Sequence, residues 1–488
     1  MDINFTHILP EITLVFTAVA AIFLDLVIYQ KRILALVCAS GTTLALIFTL
    51  LLWVNQTSGY SFNGIYVIDN FALFLKTLVL VATVIVLLAS GSYVSRLKTF
   101  QGEYYSLTLF AALGMILLPS LTEFISIVIA LEIQTFSFIA LTSLSKETRS
   151  LESALKFLLL SAIATCILLY GMSFIFGLTG STFFVHIGAS ISNQFEEGTK
   201  LLGVIGALLI LGGLSFKIAS FPFHTWVPDV YQTAPITTVA YLSVASKAVG
   251  FGLMIRFFYM VFGDQLNMIN WSTIIICLSL ASMVYGNFVA MSQQNLKRML
   301  GYSSIAHAGY LMISLAMISI PGAIEAAGSS ILFYLTAYTV TNLAAFIAIA
   351  LLAQFSDSEM ISDLEGLRER APLVAIGLMI SLISLTGLPP TGLFFGKIYI
   401  FFAALENGYW WLSLAGVLNS FVSAYYYLRP VRLMFKVNKN ISAEYELAST
   451  SNILGNTSLI LSASLVILLG VLPFWVYNLA EKAIMSLS

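Results

Sequence analysis

The chain has 488 residues, of which 59% are hydrophobic and 9% charged, with a formal net charge of −1. A soluble domain carries about 25% charged residues, so the mean hydropathy of +0.96 makes lipid the solvent for most of this chain. The near-zero charge gives no electrostatic case for a nucleic-acid partner, and Cys38, Cys166 and Cys277 lack metal or disulfide spacing and read as small buried hydrophobes.

Apolar runs of about 17–25 residues read as membrane-spanning helices. Fourteen are expected, near 8–28, 33–54, 70–92, 104–119, 122–143, 152–178, 202–231, 236–262, 271–291, 302–320, 327–355, 371–403, 409–434 and 453–479. No basic stretch precedes the first run, so no cleaved signal peptide is expected. The runs do not alternate with period two, which excludes a β-barrel. The expected fold class is an all-α polytopic membrane protein. Its parts are three N-terminal helices (1–103), two five-helix groups (104–262 and 271–435) and a C-terminal helix (453–480).

Basic residues orient the spans. Connections on one side hold Lys31, Arg32, Arg96, Lys98, Lys146, Arg149, Lys297, Arg298, Arg368, Arg370, Arg429, Arg432, Lys436 and Lys439; those on the other hold Lys200 and Lys482. The bias puts both termini on the non-cytoplasmic side of a bacterial cytoplasmic membrane. Because five is odd, the second five-helix group enters the membrane from the opposite face, as an inverted repeat requires. Each group has an interruption at its fourth span. In the first, Lys217 stands one turn before Pro222. In the second, Gly387-Leu388-Pro389-Pro390-Thr391-Gly392 is followed by Lys397. Proline removes a backbone donor and glycine loosens the helix. Paired breaks in two halves point to a transport site.

Glu132, Lys217, Lys247 and Lys397 lie deep in their spans. Charge there is costly and marks ion or proton paths. A moveable carboxylate beside a buried lysine changes how firmly that lysine holds its proton. His224 and His307 are candidate relays. Other polar residues have plainer expectations. Lys76, Lys156 and Arg256 read as structural or snorkelling, and His7 and His186 as solvated. Asp229 is expected to cap the broken helix, and Tyr425, Tyr426 and Tyr427 to form an interfacial belt rather than a hydroxyl-lined exit. No triad, metal-ligand set, phosphate loop or haem, flavin or iron–sulfur motif is present, so the chain is expected to hold no cofactor.

Three stretches carry a resemblance. They are Phe216-Lys217-Ile218-Ala219 through Pro222-Phe223-His224-x-Trp226-x-Pro228-Asp229 with Ala234-Pro235 and Ser246-Lys247; Leu300-Gly301-Tyr302-Ser303-Ser304-Ile305-Ala306-His307-Ala308-Gly309-Tyr310; and Gly387-Leu388-Pro389-Pro390-x-Gly392-x-x-x-Gly396-Lys397. Together they closely resemble the antiporter-like membrane subunits of respiratory complex I, the NADH–quinone oxidoreductase. Within that family the chain is similar to the N-type branch, equivalent to mitochondrial subunit 2. Lys397 stands where M-type subunits and their relatives in multisubunit sodium/proton antiporters carry glutamate, the chain stops soon after its fourteenth span, and it starts with Leu9-Pro10-Glu11.

The resemblance implies two inverted five-helix bundles with discontinuous helices 7 and 12. It also implies that Glu132 pairs with Lys217, that Lys247 connects the halves, that Lys397 serves the second half-channel, and that His224 and His307 belong to the polar axis. NADH, FMN, iron–sulfur clusters and quinone are then expected in the assembled complex rather than here. M-type and K-type membrane subunits are the expected neighbours, with no independent homo-oligomer. The alternatives are a cation/proton antiporter subunit, the ferredoxin–plastoquinone counterpart of complex I, and a scaffold that has lost transport.

Overall fold

The computed structural model describes residues 4–28, 31–94, 100–194, 197–262, 271–318, 320, 322–353, 359–436 and 453–487. Of the basic residues used for orientation, Arg96, Lys98 and Lys439 lie outside the described residues, as do the side chains of Lys31, Arg32 and Lys200. Twenty α-helices follow one another with a single two-stranded hairpin among the described residues.

The first part consists of α1 (Leu9–Val27), α2 (Lys31–Val54), the antiparallel hairpin β1 (Gly59–Ser61) and β2 (Tyr66–Ile68), and α3 (Asn70–Val94). The next helices are α4 (Gln101–Leu117), α5 (Phe124–Ser143), α6 (Thr148–Thr179) and the short α7 (Phe184–Gln194). Then come α8 (Glu197–Lys217), α9 (Val227–Thr233), α10 (Ile236–Tyr241) and α11 (Lys247–Phe257). The second half holds α12 (Trp271–Met291), α13 (Leu296–Met317), α14 (Ile324–Leu352), the single turn α15 (Leu367–Arg370), α16 (Pro372–Thr386), α17 (Gly392–Glu406) and α18 (Trp410–Met434). The last two are α19 (Ile453–Val471) and α20 (Pro473–Met485).

Ten helical segments among the described residues are long and apolar enough to cross a membrane. They correspond to the first six expected spans and to the eighth, ninth, eleventh and fourteenth. The seventh and twelfth are broken: α8 stops at Lys217 and resumes as α9, and α16 stops at Thr386 and resumes as α17. The tenth and thirteenth, α13 and α18, are long but more polar. The β1–β2 hairpin and α7 were not anticipated. Three-residue strands and an eleven-residue helix are too short to register against the long apolar runs that flank them.

Helix starts follow local capping chemistry. The Asp69 carboxylate accepts from Ala72 N at 2.7 Å ahead of α3, Glu123 accepts from Ser126 N at 2.7 Å ahead of α5, and Asn295 accepts from Arg298 N at 3.0 Å ahead of α13. The segment from α10 through α11 is buried throughout, and α14 nearly so. These central helices are surrounded by helices such as α1, α2, α6 and α18, whose large apolar side chains point outward. Outward apolar faces are what lipid requires. Close helix contact also places α13. A Cβ at Gly286 on α12 would stand 2.6 Å from Ala306 N, and one at Gly309 would stand 2.7 Å from Met283 N. Only small residues allow backbones to approach this closely.

Candidate functional site

The first break begins at Lys217. Ala219 adopts a left-handed conformation (φ 61°), and Ser220 N returns to Ser215 O at 3.1 Å, which closes the end of α8. Trp226 Nε1 donates to Phe216 O at 3.3 Å, and its ring stacks on Phe157 at 4.6 Å. Lys217 is buried beneath these rings and donates from Nζ to Thr135 Oγ1 at 2.5 Å. A cavity of about 10 Å³ opens there beside Thr135, Gln134 and Ser246, about the space one water needs.

Glu132 lies one turn before Thr135 on α5 and accepts from Thr165 Oγ1 at 2.7 Å. It is close enough to act electrostatically on Lys217. No ion pair within 4.0 Å joins the two among the described residues. The hydroxyl of Thr135 occupies the amine in place of the direct pair that the resemblance implies.

Gln134, next to Thr135, donates to Ser246 Oγ at 2.9 Å. Ser246 ends a π-helical turn, Leu242–Ser246, that widens the helix just before Lys247. Such turns are frequent at functional sites. Lys247 Nζ donates to Ser304 O at 2.5 Å and Ser304 Oγ at 2.7 Å, and lies 5.1 Å from the Tyr338 ring centroid. Ser304 also meets the Tyr231 hydroxyl at 3.2 Å. Asn342 donates to Ser243 Oγ at 2.7 Å and to Tyr338 Oη at 3.2 Å, which ties α14 to the π turn.

One turn beyond Ser304, His307 is held at both nitrogens. Nδ1 bonds the Tyr334 hydroxyl at 2.6 Å and Nε2 the Tyr427 hydroxyl at 3.1 Å. Tyr427 in turn bonds Ser303. Both Lys247 and Lys397 act electrostatically on His307. Lys397 is the terminus of this line. Its Nζ donates to Thr386 O at 2.8 Å and Leu385 O at 3.2 Å, carbonyls left free where α16 ends, and lies 5.0 Å from the Tyr310 ring centroid.

Five of the six candidate residues thus fall on or beside one polar line. His224 stands apart from it. It is buried against Tyr285 (4.5 Å) and Phe221 (5.5 Å), with Nδ1 lacking a hydrogen-bond partner among the described residues. Several plainer expectations are corrected. Tyr426 and Tyr427 are buried and not in a belt, because their helix face meets Asn287 and His307; only Tyr425 points outward. Asp229 does not cap α9; it bridges Arg298 at 3.0 Å and Lys156 at 3.2 Å. Lys76 is fully enclosed and paired with Glu11, so it does not snorkel. His7 is buried against Ser61. Cys166 and Cys277 lie on exposed faces of their helices; Cys38 is buried. Arg256, as expected, is structural in setting, with a two-oxygen contact to Asp69 at 2.8 and 2.7 Å.

The partners of the lysines (Thr135, Ser304, Tyr338 and the α16 carbonyls) and of His307 (Tyr334 and Tyr427) were missed. A signal existed. Polar residues recur at helical spacing, as Asn419, Ser423 and Tyr427 on α18 and as Tyr334, Tyr338 and Asn342 on α14, and such residues share one helix face.

The family described as "NADH:quinone oxidoreductase/Mrp antiporter, TM" matches residues 122–423, well over half the chain, with both breaks and all six candidate residues inside the match. The chain belongs to this family. Its similarity extends beyond the match. NADH-quinone oxidoreductase subunit N of Dehalococcoides mccartyi is 37% identical over 97% of this chain and 98% of that relative. Subunit N of Desulforamulus reducens is 36% identical over 100% and 99%. Among solved structures, a chain of respiratory complex I from Thermus thermophilus with bound Aureothin superposes with a TM-score of 0.80 at 29% identity, covering 97% of this chain and all of that one. The two subunit N relatives match the branch that Lys397 and the Leu9-Pro10-Glu11 start indicated. Among the described residues no group of three or more His, Cys, Asp or Glu is placed to hold a metal.

Proposed function

We propose that this chain is a proton-translocating membrane-arm subunit of a type I NADH–quinone oxidoreductase. The observation that carries the proposal is the line of ionisable and hydroxyl side chains from Glu132 through Lys217, Lys247 and His307 to Lys397, enclosed by apolar helices. Electron transfer would take place in other chains, which hold NADH, FMN, the iron–sulfur clusters and quinone. M-type and K-type membrane subunits are its neighbours.

Glu132 is the moveable charge. Turning from Thr165 towards Lys217, it tightens the lysine's hold on a proton; turning back, it releases that hold. The proton then passes by way of Thr135, Gln134 and Ser246 to Lys247, and by Ser304 and His307 to Lys397. His224, in the segment that joins α8 to α9, serves proton uptake at the first break. The segments 104–262 and 271–435 are inverted repeats, a reading supported by the two breaks with a lysine beside each. Both termini face the non-cytoplasmic side.

The test uses membrane vesicles with the assembled complex. Lys217→Ala and Glu132→Ala each lower NADH-dependent quinone reduction and proton uptake together while assembly persists. Normal pumping by the Lys217→Ala complex would sink the proposal. The family also covers Mrp antiporters. Sodium–proton exchange in membranes without NADH-linked activity would favour that reading instead.

A further inference from the structure

The N-terminal helices hold a second set of buried ionisable groups, away from the Glu132–Lys397 line. Glu11 on α1 and Lys76 on α3 pair at 2.7 Å, both buried. The Tyr66 hydroxyl donates to the same oxygen, Glu11 Oε1, at 2.8 Å, and accepts from Lys76 Nζ at 2.5 Å. The other carboxylate oxygen, Oε2, is enclosed and has no hydrogen-bond partner among the described residues. The pair fastens α1 to α3 and leaves this acceptor free. A buried carboxylate oxygen without a donor is costly, and such orphans call for a functional explanation.

From this pair the polar groups step outward. The Tyr66 hydroxyl lies 3.2 Å from the His7 carbonyl oxygen. Ser61, opposite Tyr66 across the hairpin, meets His7 Nδ1 at 2.6 Å. His7 Nε2 stands 3.2 Å from Nδ2 of Asn4, an exposed residue. Inward, Leu75 fills the space a side chain at Gly252 would need, since a Cβ there would stand 2.3 Å from Leu75 Cδ1. Gly252 follows Lys247 on α11 by roughly 7.5 Å of helix rise. The helix that carries Lys76, α3, therefore packs on the helix that carries the connecting lysine.

We infer that Glu11, Tyr66 and Lys76 form a proton-binding site between the central lysine line and the face of the chain that carries Asn4, with Glu11 Oε2 as the oxygen that takes the proton. The inference rests on the proposed function. The step is proton transfer alone. A hydronium ion gives its proton to Oε2: one of its O–H bonds breaks as the O–H bond at Oε2 forms, water is left, Glu11 becomes a neutral acid, and Lys76 keeps its charge. The uncompensated ammonium then repels the proton, the O–H bond breaks, and the proton leaves past His7 to solvent while the ion pair is restored.

The test compares three variants in the assembled complex in membrane vesicles: Glu11→Leu/Lys76→Leu, Glu11→Gln and Lys217→Ala. Replacing both members of a buried ion pair with apolar residues is commonly tolerated, so the double variant should assemble yet lose about twofold or more of its proton uptake per NADH oxidised. Normal uptake by the double variant, with uptake lost in Lys217→Ala, overturns this inference alone; normal uptake in both overturns the proposed function as well. Should the double variant not assemble, infrared spectra across pH decide the matter. The parent should show a carboxylic-acid C=O band that Glu11→Gln lacks, and identical spectra would overturn the site.

Discussion

Lys397 donates from Nζ to the carbonyl oxygen of Thr386 at 2.8 Å, so the amine on one side of a helix break satisfies the helix end on the other. The end of α16 carries partial negative charge and free acceptors. This makes the break an anchor for a cation that no carboxylate among the described residues pairs with. Gly387 permits the contact: it takes φ +87°, and a Cβ there would stand 2.8 Å from Lys397 Cδ. Gly387→Ala should therefore push Lys397 off its carbonyls and add roughly 1–2 kcal/mol of backbone strain. The expected result is reduced proton uptake by an assembled complex with a lowered thermal midpoint. Leu388→Ala, at a partly exposed neighbour, serves as the control, and equal behaviour of the two variants would refute the assignment.

Tyr427 and Tyr425 lie two residues apart and face opposite environments. Tyr427→Phe removes a hydroxyl that bonds both His307 and Ser303. Leaving buried polar atoms without partners costs about 1–3 kcal/mol, so proton uptake should fall about tenfold or less, with near-normal assembly. Tyr425→Phe should leave uptake unchanged. If the two variants behave alike, Tyr427 is not part of the line.

Ser304 offers Lys247 two acceptors, its carbonyl and its hydroxyl. Ser304→Ala removes one of these and also the contact to Tyr231. A hydrogen bond to a charged group is worth about 1.5–3 kcal/mol. The variant should slow proton uptake more than it alters complex abundance, measured on the same vesicles. A loss confined to abundance would mean that Ser304 is structural.

The Asp69–Arg256 pair joins the start of α3 to the end of α11. Asp69→Ala strands a buried guanidinium, at a cost of about 3–5 kcal/mol. Complex abundance and thermal stability should drop sharply. The double variant Asp69→Leu/Arg256→Met should recover much of both, with proton uptake intact. Uptake lost in a stable double variant would place Arg256 in the proton path.

The helix breaks were legible because proline and glycine act locally. Pro222 and Pro389-Pro390 cannot sit inside an uninterrupted hydrogen-bond ladder, whatever surrounds them. Lys217, Lys247 and Lys397 were legible because a cation amid apolar residues is conspicuous in any packing. The burial of Lys76, His7, Tyr426 and Tyr427 was not legible. Each lies close enough to a span end that exposure and burial fit the local pattern equally well, and the outcome depends on which helix lies across from it.

The sequence by itself determined the lipid-embedded helical class, the two broken spans and the three deep cations Lys217, Lys247 and Lys397, because each follows from local transfer costs and backbone sterics. Only the tertiary structure decided which partner each charge meets. It paired Lys217 with Thr135, Lys247 with Ser304, Lys397 with the α16 carbonyls and Lys76 with Glu11. A buried ammonium needs some acceptor within about 3 Å. Which of many distant hydroxyls, carbonyls and carboxylates fills that need is set by helix packing, where contacts join residues far apart along the chain.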